Sequence, residues 1–440
     1  MQSLFNEHIQ EQFSTFNNNQ IGVAISGGVD SVVLAYLLKQ CNVAITLLHC
    51  NFQLRGEDST GDQIFVKQLA KEWNIPFLTI DFDTKLYSQE NKTSIQIAAR
   101  ELRYNWFTKM AAKHNLKAVV TAHHADDNLE TILINLSRGT GLEGITGIPK
   151  INGLFMRPLL PFSKEEILLF AKAENIKWRE DISNTDTKYL RNKIRHHIIP
   201  EYKQIQPQLL QNVNKTIKFL EQSQALVTTY VEEKKEVFLE EDLNINGFKL
   251  KIEKLNKEAH LDIVLFETLK PYGFSAWADI KTLLLAQSGK KIQSATHTLL
   301  KDREYILLYK HTNAIEEQTY VINESDSVVL INEGKINLET NLDKENSRLN
   351  VNVDKSLLQF PLVVRKWRKG DYFYPAGMQG KKKLSKYFKD EKLSIPEKEN
   401  IWLLCSNNEI VWVIGKRADR RFLINKTTTN SINITYEISK

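Results

Sequence analysis

Ser26-Gly27-Gly28-Val29-Asp30-Ser31 lies between an apolar run at residues 21–25 and a helical pattern at 32–39. A strand, a glycine turn and a helix in that order bring the turn's N–H groups to the positive end of a helix dipole. Adjacent glycines let the backbone turn tightly and approach a ligand closely, and Ser26 and Ser31 add hydroxyl donors. The six residues read as an anion cradle suited to pyrophosphate. They are not a Walker loop, because GxxxxGK[ST] occurs nowhere in the chain.

Outward from the loop, strand patterns at 43–49, 77–82 and 118–121 and a helical segment at 94–114 continue the alternation. This predicts βαβ units and a parallel sheet covered on both faces. The fourth strand runs into Thr121-Ala122-His123-His124-Ala125-Asp126-Asp127-Asn128-Leu129-Glu130-Thr131. Two His and two Asp at a strand's carboxyl end project where open α/β sheets bind ligands. They offer Mg²⁺ ligands and a general base. Asp127 with Glu130 also reads as a capping box, and Leu129, Ile132, Leu133 and Leu136 give the next helix one apolar face. Gly139-Thr140-Gly141-Leu142-Glu143-Gly144 fits GxGxxG but follows a helix rather than a strand, so dinucleotide binding is not expected.

Arginines form the next group: Arg100, Arg103, Arg138 and Arg157, then Arg191-Asn192-Lys193-Ile194-Arg195 after Asp181-Ile182-Ser183-Asn184-Thr185-Asp186. Guanidinium at such places can hold phosphate in bidentate fashion or stabilise developing negative charge. The glycine loop resembles the PP-loop of the ATP pyrophosphatases, which cleave ATP between its α and β phosphates. As an ordered set, the strings resemble the tRNA(Ile)-lysidine synthetase family, densely over 20–200 and again near the C-terminus. One stretch departs from it: His49-Cys50-Asn51-Phe52-Gln53-Leu54-Arg55 stands where that family often has HVDHGLR.

The resemblance implies ATP bound at Ser26, Gly27, Gly28, Val29, Asp30 and Ser31, with Asp30 and Asp127 on its Mg²⁺. It implies a catalytic set of Asp30, His123, Asp127, Arg103 and Arg195. The reaction it implies adenylates the wobble cytosine of tRNA(Ile) with a CAU anticodon and joins L-lysine to C2. Asp127 or His123 then serves as base, and the cytoplasm is the expected place of action. A second copy of the chain is entertained as a partner. Two rivals stand beside this reading, a PP-loop tRNA thiolase and a non-catalytic RNA-binding protein.

From residue 364 to 392 ten Lys/Arg face only Asp371, Asp390 and Glu391, so this segment carries +7, more than the +6 of the entire chain. Trp367, Tyr372, Phe373, Tyr374, Tyr387 and Phe388 are interleaved. Basic groups neutralise phosphates and exposed aromatics stack on unpaired bases. Together with a resemblance to the C-terminal domain of longer lysidine synthetases, this points to tRNA binding by Arg365, Arg368, Lys381, Lys382, Lys383 and Lys386.

The 440 residues exceed one average domain. The fold class expected is α/β: a PP-loop domain over 1–205, a helical middle domain over 206–312, a connector over 313–350 and a small basic α+β domain over 351–440. Long helical stretches are expected at 208–239 and 253–285. No apolar run approaches the roughly 18 residues that span a bilayer, so no membrane is expected. The three cysteines have no CxxC spacing, which argues against a disulfide framework, a zinc ribbon or a thiol redox pair.

Overall fold

The computed structural model describes residues 1–180, 190–311, 319–331, 334–340 and 346–438. The chain forms two compact units, 1–227 and 228–440. The expected Asp181–Asp186 string lies outside the described residues.

The first unit is built on a six-stranded sheet of order β3-β2-β1-β4-β6-β5. Its strands are β1 (Ile21–Ala24), β2 (Ile45–Asn51), β3 (Phe77–Asp81), β4 (Ala118–Val120), β5 (Ile151–Asn152) and β6 (Phe155–Met156). β1 pairs in parallel with both β2 and β4, and only β5 runs antiparallel, to β6. The central strands are apolar on both faces because helices cover both. On one face α2 (Val29–Gln40) buries Val32, Val33, Leu34, Leu37 and Leu38 completely, beside α3 (Glu57–Trp73) and α8 (Lys164–Ala173). On the other, Trp106, Phe107 and Ala111 of α5 (Ile95–Lys113) pack on Leu48 and Val119.

The chain order reverses between β1 and β4, which makes this the sheet's topological switch point, where ligands bind at the strands' carboxyl ends. The glycine loop leaves β1 at that point. α6 (Ala125–Arg138) follows β4 there. Its Leu129 is buried against Ile194, Ile199 and Leu209, which anchors the Arg191–Arg195 segment. Leu136, expected on the apolar face, is 59% exposed, because the packing partners end a turn earlier.

The second unit begins within α11 (Leu209–Phe238). Over 253–285 the expected long helix is instead broken into Ile252–Leu255, Leu261–Leu269 and Trp277–Leu283. Gly273, at φ +76°, ends the second piece in a left-handed turn that a helix cannot carry. These helices accompany a five-stranded antiparallel sheet spanning Leu239–Asp242 to Tyr305–Lys310. Next come two four-stranded antiparallel sheets that share one core of Ile336, Val353 and Ile434 against Leu362, Val364 and Leu404. Within the stretch read as a connector, Gly334–Thr340 pairs along its length with Ser431–Ile438, its Ile336 and Leu338 facing the core.

Candidate active site

Gly28 caps α2, so Val29, Asp30 and Ser31 form the helix's first turn rather than preceding it. Gly27 holds φ +97°, a conformation that a side chain would strain. Gly28 does not need its glycine for conformation: φ is −73°, and a Cβ would meet only Ser26 Oγ at 3.5 Å. What a side chain there would obstruct is approach to the helix N-terminus. The serines brace the loop. Ser31 Oγ donates to Gly28 O (2.9 Å) and accepts from Ser26 N (3.1 Å), while Gly28 N donates to Ser26 Oγ (3.3 Å).

A cavity of about 620 Å³ opens over this loop. Ser26, Gly28, Asp30 and Ser31 line it, and so do His123 and Asp127 from the end of β4, Arg100 and Arg103 from α5, and Arg191 and Arg195. The expected catalytic residues Asp30, Asp127, His123, Arg103 and Arg195 thus meet in one place although the chain separates them by up to 165 positions (195 minus 30). Arg100 and Arg103 are exposed to the cavity, the latter stacked 5.1 Å over Phe52. Among the described residues neither has a carboxylate partner, so both remain available to an anion.

Asp127 is ionised. Burial pushes its carboxyl up, but His124, His123, Arg191 and Arg195 hold it below the usual range. One of its oxygens accepts from Arg195 Nη2 (2.8 Å) and the other from the His124 backbone N–H (3.2 Å). The helix cap is therefore Asp127 reaching back, not the expected Asp127–Glu130 box. His123 is neutral at physiological pH: burial takes it down to about 4, although Asp127 pulls the other way. Its Nδ1 is 2.9 Å from Thr121 Oγ1, which leaves Nε2 for a substrate.

Glu130, read from sequence as a cap, is a site group. Its side chain is fully buried and accepts from Arg195 Nε (2.5 Å), Arg191 Nε (2.7 Å) and Arg195 Nη2 (3.0 Å). An acid between Leu129 and Leu133, on a helix whose neighbouring positions are apolar, is the signal that could have found it. Arg195 lines the cavity but is committed to these two carboxylates, so it positions Asp127. Lys164 was also missed; its ammonium lies 2.6 and 2.8 Å from the two oxygens of Asp30. Cys50 lines the cavity as a thiol, burial pushing it up to about 12, and burial likewise lifts buried Cys405 to about 11.

In the basic C-terminal segment the structure corrects two expectations. Arg365 is buried and bound bidentately to Asp371 (2.8 and 2.9 Å), so it does not present its charge to a phosphate. Phe373, Tyr387 and Phe388 are core residues, packed with Leu403 and Val413 rather than exposed for stacking. In so small a layer, a helix lying on the sheet needs those rings for its core. Lys382 pairs with Asp390 (2.8 Å), whereas Arg368, Lys381, Lys383 and Lys386 are exposed.

Family models match along the chain: a PP-loop domain over 1–202, a TilS substrate binding domain over 244–311 and a TilS substrate C-terminal domain over 362–434. The tRNA(Ile)-lysidine synthase of Parabacteroides distasonis is 38% identical over 94% of this chain and 94% of its own. That of Bacteroides thetaiotaomicron is 35% identical over 97% of each. A solved structure, the U34-tRNA thiolase NcsA from Methanococcus maripaludis, is similar at 18% identity and TM-score 0.42, covering 50% of this chain and 78% of that one.

Proposed function

The chain belongs to the tRNA(Ile)-lysidine synthase family, and from that premise we propose how its residues divide the work. It ligates lysine to C2 of the wobble cytosine of tRNA(Ile) with a CAU anticodon, converting ATP to AMP and diphosphate. The cytosine O2 attacks the α-phosphorus, pyrophosphate leaves, and the lysine amine then attacks C2 and expels AMP. The observation that carries this reading is the single cavity that gathers the PP-loop, Asp127, His123 and the two arginines of α5.

ATP lies with its phosphates on the N–H groups at the start of α2. Asp30 and Asp127 bring hard carboxylate oxygens to the cavity wall, the donor type magnesium takes, and the phosphates complete such a shell. Held by Asp30 and Asp127, a magnesium ion would supply positive charge against the phosphates as pyrophosphate departs. Arg100 and Arg103 receive phosphate from the nucleotide or the anticodon backbone. Asp127, ionised, anchors the lysine ammonium after adenylation. Asp127 or neutral His123 takes the proton that this ammonium must lose before its amine attacks C2, and the proton shed by the nitrogen after attack passes to water. Arg368, Lys381, Lys383 and Lys386 bind tRNA phosphates. No helix among the described residues is long and apolar enough to cross a membrane, and we place the reaction in the cytoplasm, with the tRNA.

Incubation with ATP labelled on its α-phosphate and unmodified tRNA, omitting lysine, tests the first half. Label should accumulate on tRNA and be released as AMP when lysine is added. Lysine-independent hydrolysis to free AMP, with no labelled tRNA, would contradict the assignment.

A further inference from the structure

Lys164 opens α8 at the position after its cap, Ser163. A cation in a helix's first turn opposes the macrodipole, an unfavourable placement. The acids that suit that turn, Glu165 and Glu166, follow immediately. The lysine is therefore placed against its own helix's preference. Its backbone N–H donates to Asp126 Oδ2 (2.8 Å), which fixes its root at the end of β4. Its side chain reaches Asp30, 134 positions away in the chain, with Nζ 2.6 and 2.8 Å from the two carboxylate oxygens.

That ammonium is one hydrogen bond from the wall of the phosphate cradle, because Asp30 lines the cavity beside Ser26, Gly28 and Ser31. The pair is open to water, the lysine side chain 36% and the carboxylate 29% exposed. Such a water-exposed pair holds its partners only weakly. A compact charge on a flexible four-carbon stem can change partners when a more highly charged anion arrives.

We propose that Lys164 is a pyrophosphate-binding residue held on Asp30 until nucleotide enters. Paired with Asp30, it neutralises the loop carboxylate. When ATP fills the cradle, the ammonium passes to the β- and γ-phosphate oxygens and Asp30 is released for the cation. During adenylation the bond between the α-phosphorus and the bridging oxygen breaks as the cytosine O2–phosphorus bond forms. The electron pair leaves with pyrophosphate, whose added charge Lys164 offsets without transferring a proton. This assignment rests on the ATP site proposed above.

Calorimetric titration of the full chain with ATP, inorganic pyrophosphate and AMP tests it. Losing one charge-assisted contact, Lys164→Met should weaken pyrophosphate and ATP by about 10- to 100-fold, while AMP affinity stays within about twofold and Lys164→Arg restores most of the loss. In metal-free buffer Asp30→Asn should tighten pyrophosphate, since the ammonium is freed, and adding Lys164→Met should abolish that gain. This second arm stands if Lys164→Met alone folds poorly. Pyrophosphate affinity unchanged in Lys164→Met, AMP affinity falling in parallel, or a gain from Asp30→Asn that persists without the lysine would each overturn the proposal. A wild-type chain that binds neither ATP nor pyrophosphate would overturn the ATP site itself; with both bound normally by wild type, any of the three failures counts against Lys164 alone.

Discussion

Glu130→Gln separates charge from shape at the centre of the site. The replacement has nearly the same volume, so no cavity opens. Glutamine keeps one carbonyl oxygen but turns an amide NH₂ toward a guanidinium, where the carboxylate accepted from Arg195 Nε, Arg195 Nη2 and Arg191 Nε. Removing one partner of a fully buried ion pair costs about 3–5 kcal/mol. The arginine side chains here are 32% and 43% exposed and can rehydrate, which lowers the expectation to about 2–3 kcal/mol. For a unit of this size each kcal/mol moves the melting point by about 2–4 °C, so differential scanning calorimetry should show a fall of roughly 4–12 °C. Adenylation of tRNA should fall as well, because Arg195 then orients Asp127 less firmly. A variant that melts within about 1 °C of wild type and adenylates normally would refute this view of the network.

Replacing Lys381, Lys383 and Lys386 with Ala should weaken tRNA binding and reduce the log–log salt slope by about 2, with ATP affinity untouched; an unchanged slope would make the segment a solvated surface. A chain with Cys41, Cys50 and Cys405 replaced by Ala or Ser should still ligate lysine, since burial keeps the Cys50 sulfur a thiol to about pH 12; loss of chemistry with binding intact would favour sulfur transfer. His123, depressed to about 4, should show no imidazole titration by NMR from pH 8 to 5. Because its folded value lies below its unfolded one, its contribution to stability is present above about pH 6.5 and is lost as pH falls toward 4. A midpoint near 6.5 would contradict its burial.

The parallel sheet and the placement of the loop were legible because βαβ alternation and adjacent glycines are local signals. The meeting of loop, His123, Asp127 and arginines followed from a motif order, not from any spacing. Glu130 was misread because Asp127 and Glu130 have the spacing of a capping box, and only the fold reveals that Arg191 and Arg195 return to them from a later segment. Lys164–Asp30 was illegible for the same reason: its partner lies 134 positions away. Arg365 and the aromatics of the basic segment were misassigned because composition does not say which side of a strand or helix faces a core. In the middle region the long helix expected over 208–239 is present as Leu209–Phe238, whereas short apolar runs such as Leu299-Leu300 and Leu307-Leu308 belong to antiparallel strands, which such runs serve as readily as a helix.

The most direct test incubates the chain with radiolabelled lysine, ATP and unmodified tRNA(Ile) bearing a CAU anticodon, then treats the tRNA with mild alkali and digests it to nucleosides. Ligation at C2 of the wobble cytosine predicts alkali-stable label in a single modified cytidine, absent when ATP is withheld or the anticodon is changed to GAU. Label that alkali releases, as from an ester at the 3′ end, or tRNA that remains unlabelled while AMP and diphosphate form, would contradict it.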